Sequence, residues 1–231
     1  MKLVILDRDG TLNHTSVALL SGAVGEVKAA SQTLSVARVA TDTQGAYRFL
    51  QIDQTSYGLT ASRSTSDSGS AITSADALAA LRISVGLNPN PDPDGAGPLA
   101  APAVSPYQFM AADVTGSDGK ISSADALAIL RMAVKLPTAP SEEWLFVPEN
   151  RDYWDEASGK FTLDRTHASW DHSISADVQT NTTLNLVGLL KGDVNASWVA
   201  PTGSVDLDLL DPSYFNTLQN LFGTPLAQWG I

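Results

Sequence analysis

Apolar and polar positions alternate with a period of two in the first sixty residues, turn to a helical period in the middle, and return to short alternating runs towards the end. In the first stretch, Val4-Ile5-Leu6 reads as a strand, Asp7-Arg8-Asp9-Gly10 as a turn, and Val17 and Leu19 as a second strand. Ala46-Tyr47-Arg48-Phe49 and Tyr57-Gly58-Leu59-Thr60-Ala61 put aromatic and aliphatic side chains on one face, which predicts a small β-sandwich over residues 1–62. After residue 141, Trp144 to Val147, Phe161 to Leu163, Ile174 to Val178 and Thr183 to Leu190 read as further strands, with Trp154 and Trp170 as core aromatics. Asp211 then caps a helix that has Pro212 at its first position, Tyr214, Leu218, Leu221 and Phe222 on one face, and Gly223 as its stop. The expected fold class is therefore α+β with several units: 1–62 a sandwich, 63–137 a helical module, and 141–231 a β-rich unit with a terminal helix.

The middle stretch is a duplication. Setting Ile72 to Leu87 against Ile121 to Leu136 gives identity at eleven of sixteen positions, including Ser-Ala-Asp-Ala-Leu-Ala and a Leu-Arg pair. Leu78, Leu81 and Val85 recur at helical spacing and are expected to pack against the sister helix, with Gly86 ending the first helix. Asn88 to Pro106, rich in Pro, Gly and Asp, reads as a surface linker that lets the two halves meet. Tyr107-Gln108-Phe109-Met110 then leads into the second half.

Each helix is preceded by a run of oxygen-bearing side chains around glycine, the chemistry that replaces the water shell of a hard cation such as Ca2+. In the second half the donors are Asp113, Asp118, Ser122 and Asp125, the carbonyl of Lys120, and Thr115 or Ser117 as an extra donor, because the loop is thirteen residues long rather than twelve. In the first half they are Asp67, Thr73, Asp76 and the carbonyl of Ala71, with only two carboxylates and hence weaker binding. Near the end, Gly192-Asp193-Val194-Asn195-Ala196-Ser197 echoes the opening of such a loop without its final Asp, and reads either as a capped turn or as a source of oxygen ligands for a neighbouring site.

Composition narrows the function. A net charge of −11 would repel a phosphate backbone and disfavours nucleic-acid binding, whereas excess carboxylate suits a cation-binding protein. With no cysteine, disulfide frameworks and Cys-type zinc sites are excluded. His14, His167 and His172 are scattered without a metal-binding pattern, and no Ser-His-Asp grouping can be assembled. No apolar run reaches the length of a membrane span, and the start of the chain leaves no room for a signal-peptide apolar region. An exported protein would have lost its export signal, or this chain would be one piece of a longer one.

The segment Thr41 to Ser62 resembles the end of the prealbumin-like repeats of bacterial surface proteins, related to carboxypeptidase regulatory domains. Thr41, Asp42, Gly45, Tyr47, Phe49, Tyr57 and Leu59 match that pattern. The duplicated half-modules resemble dockerins, whose repeats carry Asp-x-Asn-x-Asp-Gly-x-x-Asn-x-x-Asp ahead of a helix. Asp113, Asp118, Gly119, Ser122, Asp125 and Arg131 match, as do Asp76 and Arg82 in the weaker copy. That resemblance implies bound Ca2+, a cohesin-like partner or flanking domains of the same protein held at Ser74, Ala75, Arg82, Ser123, Ala124 and Arg131, and an extracellular or cell-surface, non-catalytic role. The chain departs from the pattern in its extra loop residue, its poor first loop and its long linker. A rival reading comes from Leu6 to Asn13, which is similar to the first motif of haloacid-dehalogenase-type phosphatases. There Asp7 would be the nucleophile and Asp9 the general acid, with Mg2+ on the phosphate. That fold needs strands alternating with helices, and although Lys191-Gly192-Asp193 resembles its later motif, position 197 is Ser where the family has Asp.

Overall fold

The computed structural model describes residues 2–9, 22–29, 35–41, 45–50, 56–92, 95, 101–115, 118–149, 151–170, 173–177 and 182–199. Strands β1 (Lys2–Asp9), β2 (Ala23–Ala29), β3 (Ser35–Ala40), β4 (Ala46–Leu50) and β5 (Ser56–Arg63) precede helices α1 (Ser74–Ser84), α2 (Pro106–Ala112) and α3 (Ser123–Ala133). Strands β6 (Trp144–Pro148), β7 (Trp154–Asp155), β8 (Lys160–Phe161), β9 (Ile174–Asp177), β10 (Thr182–Thr183) and β11 (Leu186–Leu190) follow. The expected strand at Val17 and Leu19 and the expected helix from Asp211 to Gly223 lie outside the described residues.

Two sheets share one continuous apolar core. In the first, β1 pairs antiparallel with β4 and, on its other edge, parallel with β10 at Leu3 and Val4 and with β11 from Asp7 to Asp9; β6 closes the far side of β11. In the second, antiparallel sheet, the order is β3-β2-β5-β9. Both sheets therefore combine strands from the segments expected to form separate units at 1–62 and 141–231. The physical reason is visible in Leu186–Leu190, which is buried at all five positions. A run with no polar face needs cover on both sides, so it takes an interior place rather than forming a half-solvated sheet of its own.

The parallel ladder also changes the reading of Asp7-Arg8-Asp9. These residues continue strand β1 instead of turning, because β11 gives their backbone groups partners. The aromatic face of β4 is as expected from its alternation: Tyr47 and Phe49 are buried and meet edge to face at 5.6 Å. Tyr47 lies over Gly25 of β2, where an added Cβ would come within 2.6 Å of two ring carbons and the phenolic oxygen. The missing side chain of Gly25 is thus the space that the tyrosine occupies.

One element is added and two further expectations are corrected. Tyr107 to Met110 belong to a buried helix, α2, started by Ser105 and Gln108 in a reciprocal capping box with Pro106 at the first position. Trp154 is 42 % exposed on the small β7–β8 hairpin, where its ring meets Phe161, while Trp170 packs partly buried against the core. Most telling, Leu78, Leu81 and Val85 do not face the sister helix: they are exposed, as are their counterparts Leu127, Leu130 and Val134. Helices α1 and α3 pack together while Ala77, Ala79, Ala80 and Ile83 of one, and Ala126, Ala128, Ile129 and Met132 of the other, are buried. Alanine-rich buried faces allow close helix approach and leave the larger side chains outside.

Replacing Gly25 by Ala should push Tyr47 out of its place and lower stability by about 1–3 kcal/mol, the usual cost of overpacking. Thermal or denaturant unfolding of the full chain reads this, and an unchanged midpoint would rule out the close packing of Tyr47 on Gly25.

Candidate metal centre

The second half-module is built around Asp125. This residue occupies the third position of α3 and is fully buried. Its Oδ2 accepts hydrogen bonds from the Ser122 N–H at 2.9 Å and hydroxyl at 3.0 Å, while Ser122 Oγ accepts from the Ala124 N–H at 3.1 Å. That capping box satisfies donors that the first turn of a helix otherwise leaves open. Its other oxygen, Oδ1, reaches back to the start of the loop and accepts from the N–H groups of Val114 and Thr115 and from the Thr115 hydroxyl at 2.6 Å. One carboxylate therefore closes both ends of the loop.

Asp113 stands at the C-terminus of α2, where its N–H donates to Phe109 O. Its Oδ2 accepts from the Gly119 N–H at 3.2 Å, and its Oδ1 is buried without a hydrogen-bond partner. Burial pushes its carboxyl above the ordinary carboxylate range; the Gly119 N–H and Lys191 oppose this, and the negative charges of Asp125 and Asp118 add to it. An orphaned buried carboxylate oxygen between like charges is chemically suited to a cation. Asp118 is exposed, and its Oδ1 accepts from Lys120 N–H. Gly119 has φ +74, the left-handed conformation that favours glycine. Ser117 lies outside the described residues.

The first half-module repeats the cap but not the loop. Thr73 and Asp76 form the same capping box, and Asp76 is fully buried. Asp67, expected among the ligands, instead forms an ion pair with Arg63, one contact being 2.7 Å. Arg63 lies over the rings of Trp144 and Trp198 at 4.9 and 4.7 Å, so the carboxylate of Asp67 is drawn away to a cation–π stack. Ala71 O accepts from Ser197 Oγ at 2.9 Å.

What takes the place of the missing loop opening comes from 119 residues further along. The Asn195 N–H donates to Asp76 Oδ1 at 3.0 Å, as the Thr115 N–H does to Asp125 Oδ1. Asp193-Val194-Asn195 thus stands to Asp76 as Asp113-Val114-Thr115 stands to Asp125. Asp193 is buried, accepting from Ser197 N–H and Oγ and from Trp198 N–H. Desolvation raises its pKa to about 6; the bonds from Ser197 and Trp198 oppose the rise, and the charge of Asp76 adds to it. The turn is seated by Gly192 N–H on Ala111 O, by Gln108 Nε2 on Val194 O, and by close contact of Gly192 with Ile72 and Met132, which a Cβ would crowd. A signal for this existed in the sequence: aligned on the acids, the first repeat has Ser64-Thr65-Ser66 where the second has Asp113-Val114-Thr115, and the missing pattern recurs at Asp193-Val194-Asn195.

Among the described residues, no three His, Cys, Asp or Glu side chains form a cluster, so a bound cation would draw remaining ligands from hydroxyls, carbonyls and water, as calcium sites do. Ser74, Ala75 and Arg82 of α1 and Ser123, Ala124 and Arg131 of α3 are all exposed. They flank the exposed leucines and valines of both helices. Asp7 and Asp9 lie in β1, parallel to β11, and Lys191-Gly192-Asp193 follows β11; β1 also pairs in parallel with β10, while β4 on β1 and β6 on β11 are antiparallel. No described helix is long and apolar enough to cross a membrane. Comparison of the chain with models of known protein families, with curated proteins and with solved structures finds no match in any of the three.

The raised pKa of Asp193 gives a signed pH dependence in metal-free protein. The folded state holds its proton up to about 6, whereas the unfolded chain releases it near 4, so stability falls as pH rises through that window, by up to about 3 kcal/mol from this group. Asp193→Asn should gain on the parent protein between pH 4 and 6.5 in chelator-treated samples; parallel stability–pH curves for the two would contradict it.

Proposed function

We propose that the chain is a calcium-binding, dockerin-like protein of extracellular or cell-surface setting, non-catalytic, in which Ca2+ orders a pair of helices that present a docking face. The single observation that carries this reading is the buried, unpartnered Oδ1 of Asp113 beside the loop closed by Asp125. Asp113 and Asp125 would supply charge, Asp118, exposed at the loop surface, would have to move in to join them, and the Lys120 carbonyl and the Thr115 and Ser122 hydroxyls would be neutral donors. In the first half the corresponding acids are Asp76 and Asp193, two buried carboxylates whose mutual repulsion a cation would relieve. Asp67 has no place in this set, being held by Arg63.

The docking role rests on the helix faces. Leu78, Leu81, Val85 and Leu87 repeat as Leu127, Leu130, Val134 and Leu136, all exposed, with Arg82 and Arg131 among them. An apolar surface of this kind marks an interaction site. A cohesin-like module with acidic groups around an apolar centre would be complementary to it.

Calorimetric titration of Ca2+ into the metal-stripped protein should give binding heat and raise the melting temperature by about 5 °C or more at saturating cation. Both effects should disappear in Asp125→Ala. Because that change also removes a helix cap, Asp113→Asn is the companion: its melting temperature in chelator should stay close to that of the parent protein while the calcium response is lost. Absence of heat and of thermal shift in the parent protein would end the calcium reading.

The second reading, a Mg2+-dependent phosphatase using Asp7 and Asp9, is favoured by one observation, the parallel pairing of β1 with β11. Hydrolysis of a phosphate monoester that requires Mg2+ and vanishes in Asp7→Asn would replace the docking proposal with it.

A further inference from the structure

Helix α1 ends at a cavity of about 470 Å³. Ile83 and Leu87 from that end, Val104 from the segment before α2 and Phe109 from α2 give it apolar walls, and the turn at Asp164–Thr166 gives it a polar one. A volume of about 300–1,000 Å³ with mostly apolar walls and a few polar groups is the usual form of a small-molecule site. Two contacts set the Arg165 guanidinium at this wall. Its Nη1 donates to Ser84 O, in the last turn of α1, at 3.1 Å, and its Nε lies 3.8 Å from the point where a Cβ on Gly86, another lining residue, would stand. The backbone that carries it is anchored, because Ile121 N–H donates to Arg165 O and Ala168 N–H to Gly119 O, both at 2.8 Å.

We propose that this cavity binds an apolar monocarboxylate: an aliphatic or aromatic body the size of a leucine or phenylalanine side chain, lying on Ile83, Leu87, Val104 and Phe109, with its carboxylate on Arg165. Among the described residues Arg165 forms no ion pair, although the chain carries a net charge of −11. With Nη1 given to Ser84 O, other guanidinium N–H groups remain for a carboxylate. The apolar walls favour a ligand that carries hydrocarbon beside its charge. Asp164 is the acid of the same wall. Its Oδ1 accepts from the Thr166 N–H and hydroxyl, both at 2.6 Å, and from the His167 N–H at 2.9 Å, so its charge is engaged inside its own turn. A second negative charge on the ligand would meet that carboxylate unopposed, which selects for a single one. Free short-chain acids and the C-terminal residue of a peptide share this chemistry. The site is independent of the calcium reading, since no proposed cation ligand lines it.

The test is an NMR titration of the isotope-labelled full chain with sodium hexanoate, N-acetyl-leucine and N-acetyl-leucinamide, repeated in Arg165→Met. At least one of the two acids is expected to shift the amide signals of Ile83, Gly86, Leu87 and Arg165 with a Kd of about 1 mM or tighter. N-acetyl-leucinamide keeps the apolar body without the charge and is expected to bind about tenfold more weakly than N-acetyl-leucine. Arg165→Met, a change at an exposed side chain, should remove that preference for the acid. Tighter binding of hexanoate would identify a free acid as the ligand, and tighter binding of N-acetyl-leucine a peptide terminus. No shift at these residues with either acid, equal affinity for N-acetyl-leucine and its amide, or an undiminished acid preference in Arg165→Met would overturn the proposal.

Discussion

Asp125 and Asp76 are the residues on which the helical part of this molecule depends. Each is an acid removed from water at the third position of a helix, and each is tolerated there only because its two oxygens are divided between two tasks. One oxygen fixes the start of the helix by holding the N-capping residue, Ser122 or Thr73. The other captures backbone N–H groups at the far end of a loop: Val114 and Thr115 in one half, Asn195 in the other. Removing either acid would leave buried donors without acceptors at both places, a cost of about 1–3 kcal/mol for each group left unsatisfied.

This arrangement explains why the helix pair is inseparable from the sheets. The second loop closes on itself but is covered by Arg165–Ser169, and the first is completed by Asp193–Asn195 just beyond β11. The Trp144–Trp198 edge contact at 4.9 Å, with Arg63 above both rings, ties β5, β6 and the C-terminal turn together next to α1. Alanines at the α1–α3 contact let the helices approach closely, which turns the leucines and valines outward. The burial that organises one face therefore creates the exposed face proposed for docking.

Much of the helical module was legible from local patterns. Thr73, Asp76, Ser122 and Asp125 were legible as oxygen donors at the start of each helix, though not as its caps, and Gly86 as a helix stop; all are short-range features in which side chain and backbone are a few residues apart. Gly86 has φ +79, and its counterpart Lys135 adopts φ 53, so the same left-handed stop was also made without glycine. The outward direction of Leu78 and Leu81 was not legible, because a helical period identifies a stripe without saying whether it or the alanine stripe beside it faces the partner. The engagement of Asp67 by Arg63 depended on where the aromatic stack of Trp144 and Trp198 formed.

The sequence by itself determined the duplication, the paired helices, the aromatic face of β4 and the concentration of oxygen donors ahead of each helix. All of these follow from residues close together in the chain. Only the tertiary structure decided that β1 continues through Asp7–Asp9 beside β11, that both sheets mix early and late strands, and that Asp193–Asn195 stands in for the loop opening that Ser64–Ser66 lacks. Those outcomes turn on which distant segment satisfies a given backbone edge or buried carboxylate. That choice is made by the burial of the whole core, where a run such as Leu186–Leu190 has to be covered on both faces.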